Sequence, residues 1–277
     1  MQYSYVDGKK MPPFPKGRGV CSVCDLDTIA KCGEKVMWHW AHTSKMDCDP
    51  WWENETEWHR NWKEHFPEEF REVVHQCEIT GEKHRADIKS ESGIILEIQN
   101  SPISLDELRS REHFYKNLVW VVNAERFQSR FKIWKAPLPD PKNSDFDDIV
   151  FMASKYEPSC SMFWRKSENP EAVGVKGAMV RIRSTREIAT KISHNYIGHH
   201  SFHWTRPHIA WQQARCPVYL DFGTDILWRI EKYRGQFMSV RAITKEELIL
   251  DITNGYSIHN ITNKHAILGD NRKKVKR

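Results

Sequence analysis

Between residues 53 and 70 the bulky apolar positions fall four apart: Trp58, Trp62, Phe66 and Phe70. That spacing makes one stripe of an α-helix, and Pro67 kinks or ends it. The pattern then changes to the short β-type runs "VVHQCEIT", "HRADIK" and "IILEIQN". Gly81 follows the first run, and a short turn ending in Gly93 joins the other two. In "SLDELRSREHFYKNL" Ser104 and Glu107 stand three apart, a capping box that predicts a helix start. "VWVVN", residues 119–123, predicts a buried strand. The expected order is helix, three strands, helix, strand.

The rest of the chain is harder to read. "KAPLPDPKNSDFDD", residues 135–148, is rich in Pro and Asp and poor in apolar residues, which predicts a linker. A softer boundary falls near "DCDPWW". Beyond residue 150, "AMVRIRS", "CPVYLDF" and "FMSVRAIT" predict strands and "TKEELILDI" a short helix. The expected division is a small module at 1–52, an α/β core at 53–134, a linker at 135–150 and a mixed α/β or β-rich domain at 151–277. There is no internal repeat and no low-complexity segment.

A chain of 277 residues is long enough for more than one core. A mean hydropathy of −0.68 predicts a soluble protein with no membrane partner, since no apolar run approaches the roughly 20 residues of a span. The start "MQYSYVDGKK" lacks an apolar signal region, so the cytoplasm is the expected compartment. The net charge of +5 is carried by the tail from Lys264, where six Lys/Arg meet one Asp. Such an arm suits phosphate contacts or simple solubility. Twelve Trp offer core anchors and, in polar surroundings, stacking surface for bases. "SHNYIGHHSFHWTRPH" places five His in residues 194–208, a metal or phosphate site or plain polar surface.

Asp87 and Glu97 interrupt two β-type runs, where acids are disfavoured. If Glu91, Ser92 and Gly93 form the turn, Ser90 pairs with Ile94 and Asp87 sits opposite Glu97. Directly opposed residues share a face with Cβ atoms about 5 Å apart. Period two adds Gln99 to that face and sends Ile94, Leu96 and Ile98 to the other. Two facing carboxylates repel and call for a cation, and Mg²⁺ or Mn²⁺ takes such oxygen ligands. The competing reading is an exposed strand face with scattered polar residues. Glu55, His59 and Lys63, spaced four apart, line one helix face. They are either part of a site beside that pair or an exterior ladder.

Seven Cys with uneven spacing in a chain without a signal region predict thiols and metal ligands rather than disulfides. Cys21 and Cys24 form a CxxC, and His39 and His42 an HxxH fourteen residues later. This Cys₂His₂ set suits tetrahedral Zn²⁺, with Cys32 and Cys48 as reserve ligands. A redox CxxC would need a thioredoxin-like βαβ unit, which is absent. A segment with so little core would gain its fold from a structural metal.

The joint order of "CSVC", "HWAH", "ETEWHRNWK", "HRADI", "LEIQNS" and "FYKNLVWVVN" resembles the competence protein CoiA-like family of the PD-(D/E)XK nuclease superfamily. The likeness covers roughly residues 15–125, with "CPVYLDFG" a weaker echo later. It implies a restriction-endonuclease-like core behind a zinc-ribbon-like module, and a nuclease acting on DNA in the processing of foreign or recombining DNA. By that resemblance Asp87 and Glu97 ligate the catalytic metal. Gln99 stands where the superfamily has lysine, Glu55 (with Glu57 as rival) is the acid of the helical motif, and His59 its histidine. The lysine-to-glutamine departure removes a cation that Lys89 or Lys63 could supply. It also keeps open a catalytically inactive nucleic-acid-binding protein on a degenerate nuclease fold. A homo-oligomer or a protein partner is compatible with either.

Overall fold

The computed structural model describes residues 1–44, 48–51, 53–152 and 162–255. The basic tail therefore lies outside the described residues. The chain is mixed α/β and divides into two compact units. The first comprises Met1–Trp120 with Ile252–Gly255, and the second, among the described residues, Val121–Asp251.

The first unit opens with five short strands: β1 (Ser4–Val6), β2 (Lys9–Met11), β3 (Arg18–Val20), β4 (Asp27–Lys31) and β5 (His39–His42). They form one sheet in the order β2-β1-β3-β4-β5. Its small core packs Met1, Cys21, Val23 and Trp40 together. The helix expected over 53–70 is shorter: α1 spans Glu57–Glu64, and a 3₁₀ turn follows at Glu68–Phe70. Pro67 caps that turn, so the break falls where proline predicts it. The aromatic stripe still faces inward, with Trp62, Phe66 and Phe70 buried.

Next come β6 (Arg71–Gln76), β7 (Lys83–Lys89), β8 (Ile95–Gln99), α2 (Leu105–Tyr115) and β9 (Leu118–Asn123), which begins in this unit. Ser104 caps α2 by accepting the Glu107 N–H at 3.1 Å. The strands lie in the order β9-β8-β7-β6. In the β7–β8 hairpin Ile88 pairs with Leu96 and Lys89 with Ile95. Gly93 turns the chain with φ +81°, and the Ser90 N–H donates to Ile94 O at 2.9 Å. Every residue of β8 is buried, so both of its faces are covered.

The second unit holds β10 (Phe131–Pro139), β11 (Ile149–Met152), β12 (Met162–Arg165), β13 (Arg183–Ser184), α3 (Ala189–His194), β14 (Tyr196–Trp204), α4 (Ile209–Gln213), β15 (Val218–Asp221), β16 (Ile226–Tyr233) and β17 (Phe237–Thr244). The helix α5 (Lys245–Thr253) starts here. One sheet runs β10-β14-β17-β16-β15 and a small one runs β11-β12-β13. The stretch expected as a linker is structured. It carries the end of β10, which shifts register at Pro137 and again before Pro139, and a 3₁₀ turn at Ser144–Phe146. Phe146 is fully buried among Leu138, Phe151 and Phe163, so this segment seals a core. The His-rich segment runs through β14, where His199 is buried.

Candidate functional site

The register brings Asp87 and Glu97 face to face, and the side chains around them form a closely bonded cluster. Asp87 Oδ2 accepts the Ile98 N–H at 2.9 Å, so the acid takes a main-chain donor of its neighbouring strand. Its Oδ1 meets Lys63 Nζ at 3.0 Å. Glu97 Oε2 accepts from Arg111 NH1 of α2 at 2.9 Å. Glu97 Oε1 is buried and has no hydrogen-bond partner. Burial and the Asp87 charge push the Glu97 carboxyl up to about 8, in spite of Arg111.

Lys63 is the hub of the cluster. Buried on α1, it lies 3.1 Å from Glu55, 3.1 Å from Glu72 and 3.0 Å from Asp87. Burial alone would lower its pKa, but the three carboxylates outweigh that and raise it. Glu72 has φ +46°, unusual for a non-glycine residue in a strand. Its carboxylate accepts from the Gln2 and Tyr3 N–H groups as well as from Lys63. Despite burial, Lys63 and Arg85 hold the Glu72 carboxyl well below the usual range.

A second group of bonds centres on Glu53, just before α1. Glu53 accepts from the Asn100 N–H at 3.0 Å, the Ser101 N–H at 3.1 Å and the Ser101 hydroxyl. His59 Nδ1 accepts the Thr56 N–H at 3.1 Å, which puts the ring proton on Nε2. Nε2 then donates to Glu53 Oε1 at 2.8 Å. Gln99 Nε2 donates to Glu53 at 3.4 Å and to Ser101 O at 3.1 Å. Burial would raise Glu53, but these donors, His59 first, bring its carboxyl down to about 2.

Asp87, Glu97, Gln99, Glu55, His59 and Lys63 line one small cavity of about 60 Å³. Glu55 and His59 do not touch the Asp87–Glu97 pair directly. Glu55 binds Lys63 and Arg60, and His59 binds Glu53. Glu57, the rival acid, is exposed on the first turn of α1. Lys89 points to His75 Nδ1 at 3.2 Å, so Lys63 is the cation at Asp87. Sequence reasoning missed Glu53, Glu72 and Arg111. A buried arginine on a helix opposite an acidic strand position leaves no periodic signal, and neither does an acid ahead of a helix cap.

The cavity lining is rich in carboxyl groups. Six acidic side chains (Asp49, Glu53, Glu55, Glu72, Asp87 and Glu97) line it together with Lys63, Arg85, Arg111 and Met1, whose terminal amine acts on Glu72. The unpartnered Glu97 oxygen adds a buried acceptor that a divalent ion would satisfy.

A separate ligand set lies in the N-terminal sheet. Cys21, Cys24, His42 and Cys48 bring their ligand atoms within 4.8 Å of one another. Cys21 Sγ is 3.6 Å from Cys48 Sγ, and Cys24 Sγ is 3.3 Å from His42 Nε2. A tetrahedral ion with Zn–S bonds of ~2.3 Å needs sulfur atoms about 3.8 Å apart, so the set fits. The knuckle is built by Asp25 N–H donating to Cys21 O at 3.0 Å, with Asp25 at φ +59°. Burial and the neighbouring thiols push the Cys48 thiol up, the repulsion a cation would relieve. His39 is corrected here: its Nδ1 bonds Met37 O at 2.9 Å, and Cys48 takes its place in the cluster. His39 and His42 lie on one strand of four residues, three apart, so period two points them to opposite faces.

No helix among the described residues is long and apolar enough to cross a membrane. No family model, no curated protein and no solved structure matches this chain.

Proposed function

We propose that the chain is a metal-dependent nuclease that hydrolyses DNA phosphodiester bonds, with a PD-(D/E)XK-type core of the CoiA-like family. The observation that carries this reading is the Asp87–Glu97 pair, opposed across one hairpin, with a buried Glu97 oxygen that lacks a partner. Asp87 and Glu97 would hold Mg²⁺ or Mn²⁺. Such an ion supplies Lewis-acid stabilisation of the phosphoryl charge and a more acidic water. Lys63 places at Asp87 the positive charge that Gln99 lacks. Because Gln99 donates its amide N–H groups to Glu53 and Ser101, its carbonyl oxygen is the end left to orient a water. Glu55 positions Lys63, and the His59–Glu53 pair holds the strand end that carries Gln99. The Cys21, Cys24, His42 and Cys48 set would hold structural Zn²⁺.

One observation favours the second reading, a nucleic-acid-binding protein without activity. Lys63 and Arg111 already pair with both acids, so their charge is met without an ion. A cleavage survey separates the two. Plasmid, linear duplex and single strands are incubated with Mg²⁺, Mn²⁺ or EDTA, and binding is measured alongside. Cutting that requires the ion supports the nuclease. Binding without cutting under every condition supports the second reading.

A further inference from the structure

The second unit contains a row of polar side chains that neither the zinc set nor the acidic cavity uses. Across four neighbouring strands Tyr219 pairs with Arg229, Arg229 with Arg241, and Arg241 with His199. Two residues along, Glu231 pairs with Ser239, and Ser239 with Ser201. Directly opposed residues share a sheet face, and so do residues two apart on a strand. All seven therefore stand on one face. Apolar pairs flank them on that face, Leu227 with Ile243 on one side and Tyr233 with Phe237 on the other.

These side chains are buried: Tyr219 and Ser239 are 0% exposed, Arg241 1%, His199 2% and Arg229 8%. Glu231 is the carboxylate they share. Its Oε1 meets Arg241 Nε at 3.1 Å and Arg229 Nε at 3.2 Å, and its Oε2 lies 3.6 Å from His199 Nε2. Asp251 adds to the field at Tyr219. Several atoms of the row have no hydrogen-bond partner: Nε and Nη1 of Arg229, both terminal nitrogens of Arg241, Tyr219 OH, Ser201 Oγ, Ser239 Oγ and His199 Nδ1. Native proteins leave few such groups, and each costs free energy when unmatched. The guanidinium nitrogens among them can only donate, whereas His199 Nδ1 is left an acceptor, since its Nε2 faces Glu231. Two guanidinium groups directly opposed on neighbouring strands also repel, and Glu231 meets each of them only at Nε. One ligand rich in acceptors and negative charge answers both, and guanidinium forks match tetrahedral oxyanions.

We propose that this face is a binding site for a phosphate group, held by Arg229 and Arg241 with the Tyr219, Ser201 and Ser239 hydroxyls as further donors. Arg229 and Glu231 have the most exposed side chains of the row, 10% and 21%. A site so buried takes a terminal phosphomonoester, whether on a free nucleotide or at a strand end, rather than the flank of a duplex. The inference does not depend on the nuclease reading.

The test is isothermal titration calorimetry on the full chain, without added divalent ion and at fixed ionic strength. The probes are inorganic phosphate, a nucleoside 5′-monophosphate, and a short single strand ending in a 5′-phosphate or a 5′-hydroxyl. The expected result is one saturable site for at least one phosphomonoester. Arg229→Met should weaken it about tenfold or more, the loss expected for a charged hydrogen bond. Ser239→Ala removes one donor with almost no change of shape, and should weaken it about threefold or more. Preference for the 5′-phosphate strand would give a strand end as the source. Binding confined to the mononucleotide would give a free ligand. The proposal is overturned if the wild type binds no phosphomonoester saturably, or if binding is unchanged in either folded variant. It also fails if the two strands bind equally while the small phosphates do not bind. Should Arg229→Met not fold, Ser239→Ala decides alone.

Discussion

Lys63 can be removed with little change of shape by Lys63→Met, and the structure says what that would cost. Its ammonium lies within 3.1 Å of three carboxylates, and the side chain is 4% exposed. Breaking a buried ion pair by removing one partner typically costs about 3–5 kcal/mol, because the other charge is left uncompensated. Arg85, 3.7 Å from Glu72, and Arg60, 3.2 Å from Glu55, soften the loss at those two acids. A loss of that size is a large share of the ~5–15 kcal/mol that stabilises a typical protein. The pH dependence has a definite sign. Lys63 holds the Glu72 carboxyl below its ordinary value of 4.5, so the stabilisation is present above that pH and lost as pH falls. The ammonium itself is raised, so nothing is lost toward moderately alkaline pH. Urea unfolding followed by tryptophan fluorescence should show the full deficit at pH 7 and a clearly smaller one at pH 2.5. A deficit under about 1 kcal/mol at pH 7, or one equal at both values, would refute the hub role.

Three further outcomes are expected. Elemental analysis of protein purified without added metal should find about one zinc per chain, lost in Cys48→Ser and kept in His39→Ala; the reverse would restore the Cys₂His₂ set. Glu53→Gln should cost about 1–3 kcal/mol at pH 7 in thermal unfolding. Because the Glu53 carboxyl is lowered to about 2, that cost should fade as pH drops from 4.5 toward 2, and a cost that grows there would contradict the assignment. Glu97 is shifted the other way, to about 8, so its ionisation destabilises the metal-free fold increasingly between pH 4.5 and 8. Glu97→Gln should therefore be more stable than wild type at pH 9 and converge with it below pH 4.5, and a less stable variant at pH 9 would count against the raised carboxyl.

The Asp87–Glu97 opposition was legible because one glycine, Gly93, closes the turn, and strand register follows from turn length. The cap of α2 was legible for a similar reason, since Ser104 bonds only three residues ahead. Glu53 was not. It meets Asn100 and Ser101 nearly fifty positions away, through loops with no period to read. Cys48 stood only as a reserve ligand because no spacing motif in the sequence marks it, whereas HxxH is visible on paper. Pro137 and Pro139 misled in the opposite direction. Their strand tolerates them because its pairing is irregular there, so a strand read as a linker. The Tyr219–Arg229–Arg241–His199 row is invisible until three strand registers are known, since its paired neighbours lie ten, twelve and forty-two positions apart.

The central claim is that Asp87 and Glu97 support phosphodiester hydrolysis with a bound ion. Single-turnover cleavage in Mg²⁺ by wild type, Asp87→Asn and Glu97→Gln, with fold and zinc content verified, tests it most directly. The account predicts ion-dependent cutting by wild type and a rate at least about a hundredfold lower in each variant, roughly 3 kcal/mol of lost transition-state stabilisation. DNA affinity, measured in Ca²⁺, should stay within about tenfold of wild type. Cleavage at the wild-type rate by either variant, or no cleavage by wild type with any ion, would contradict it.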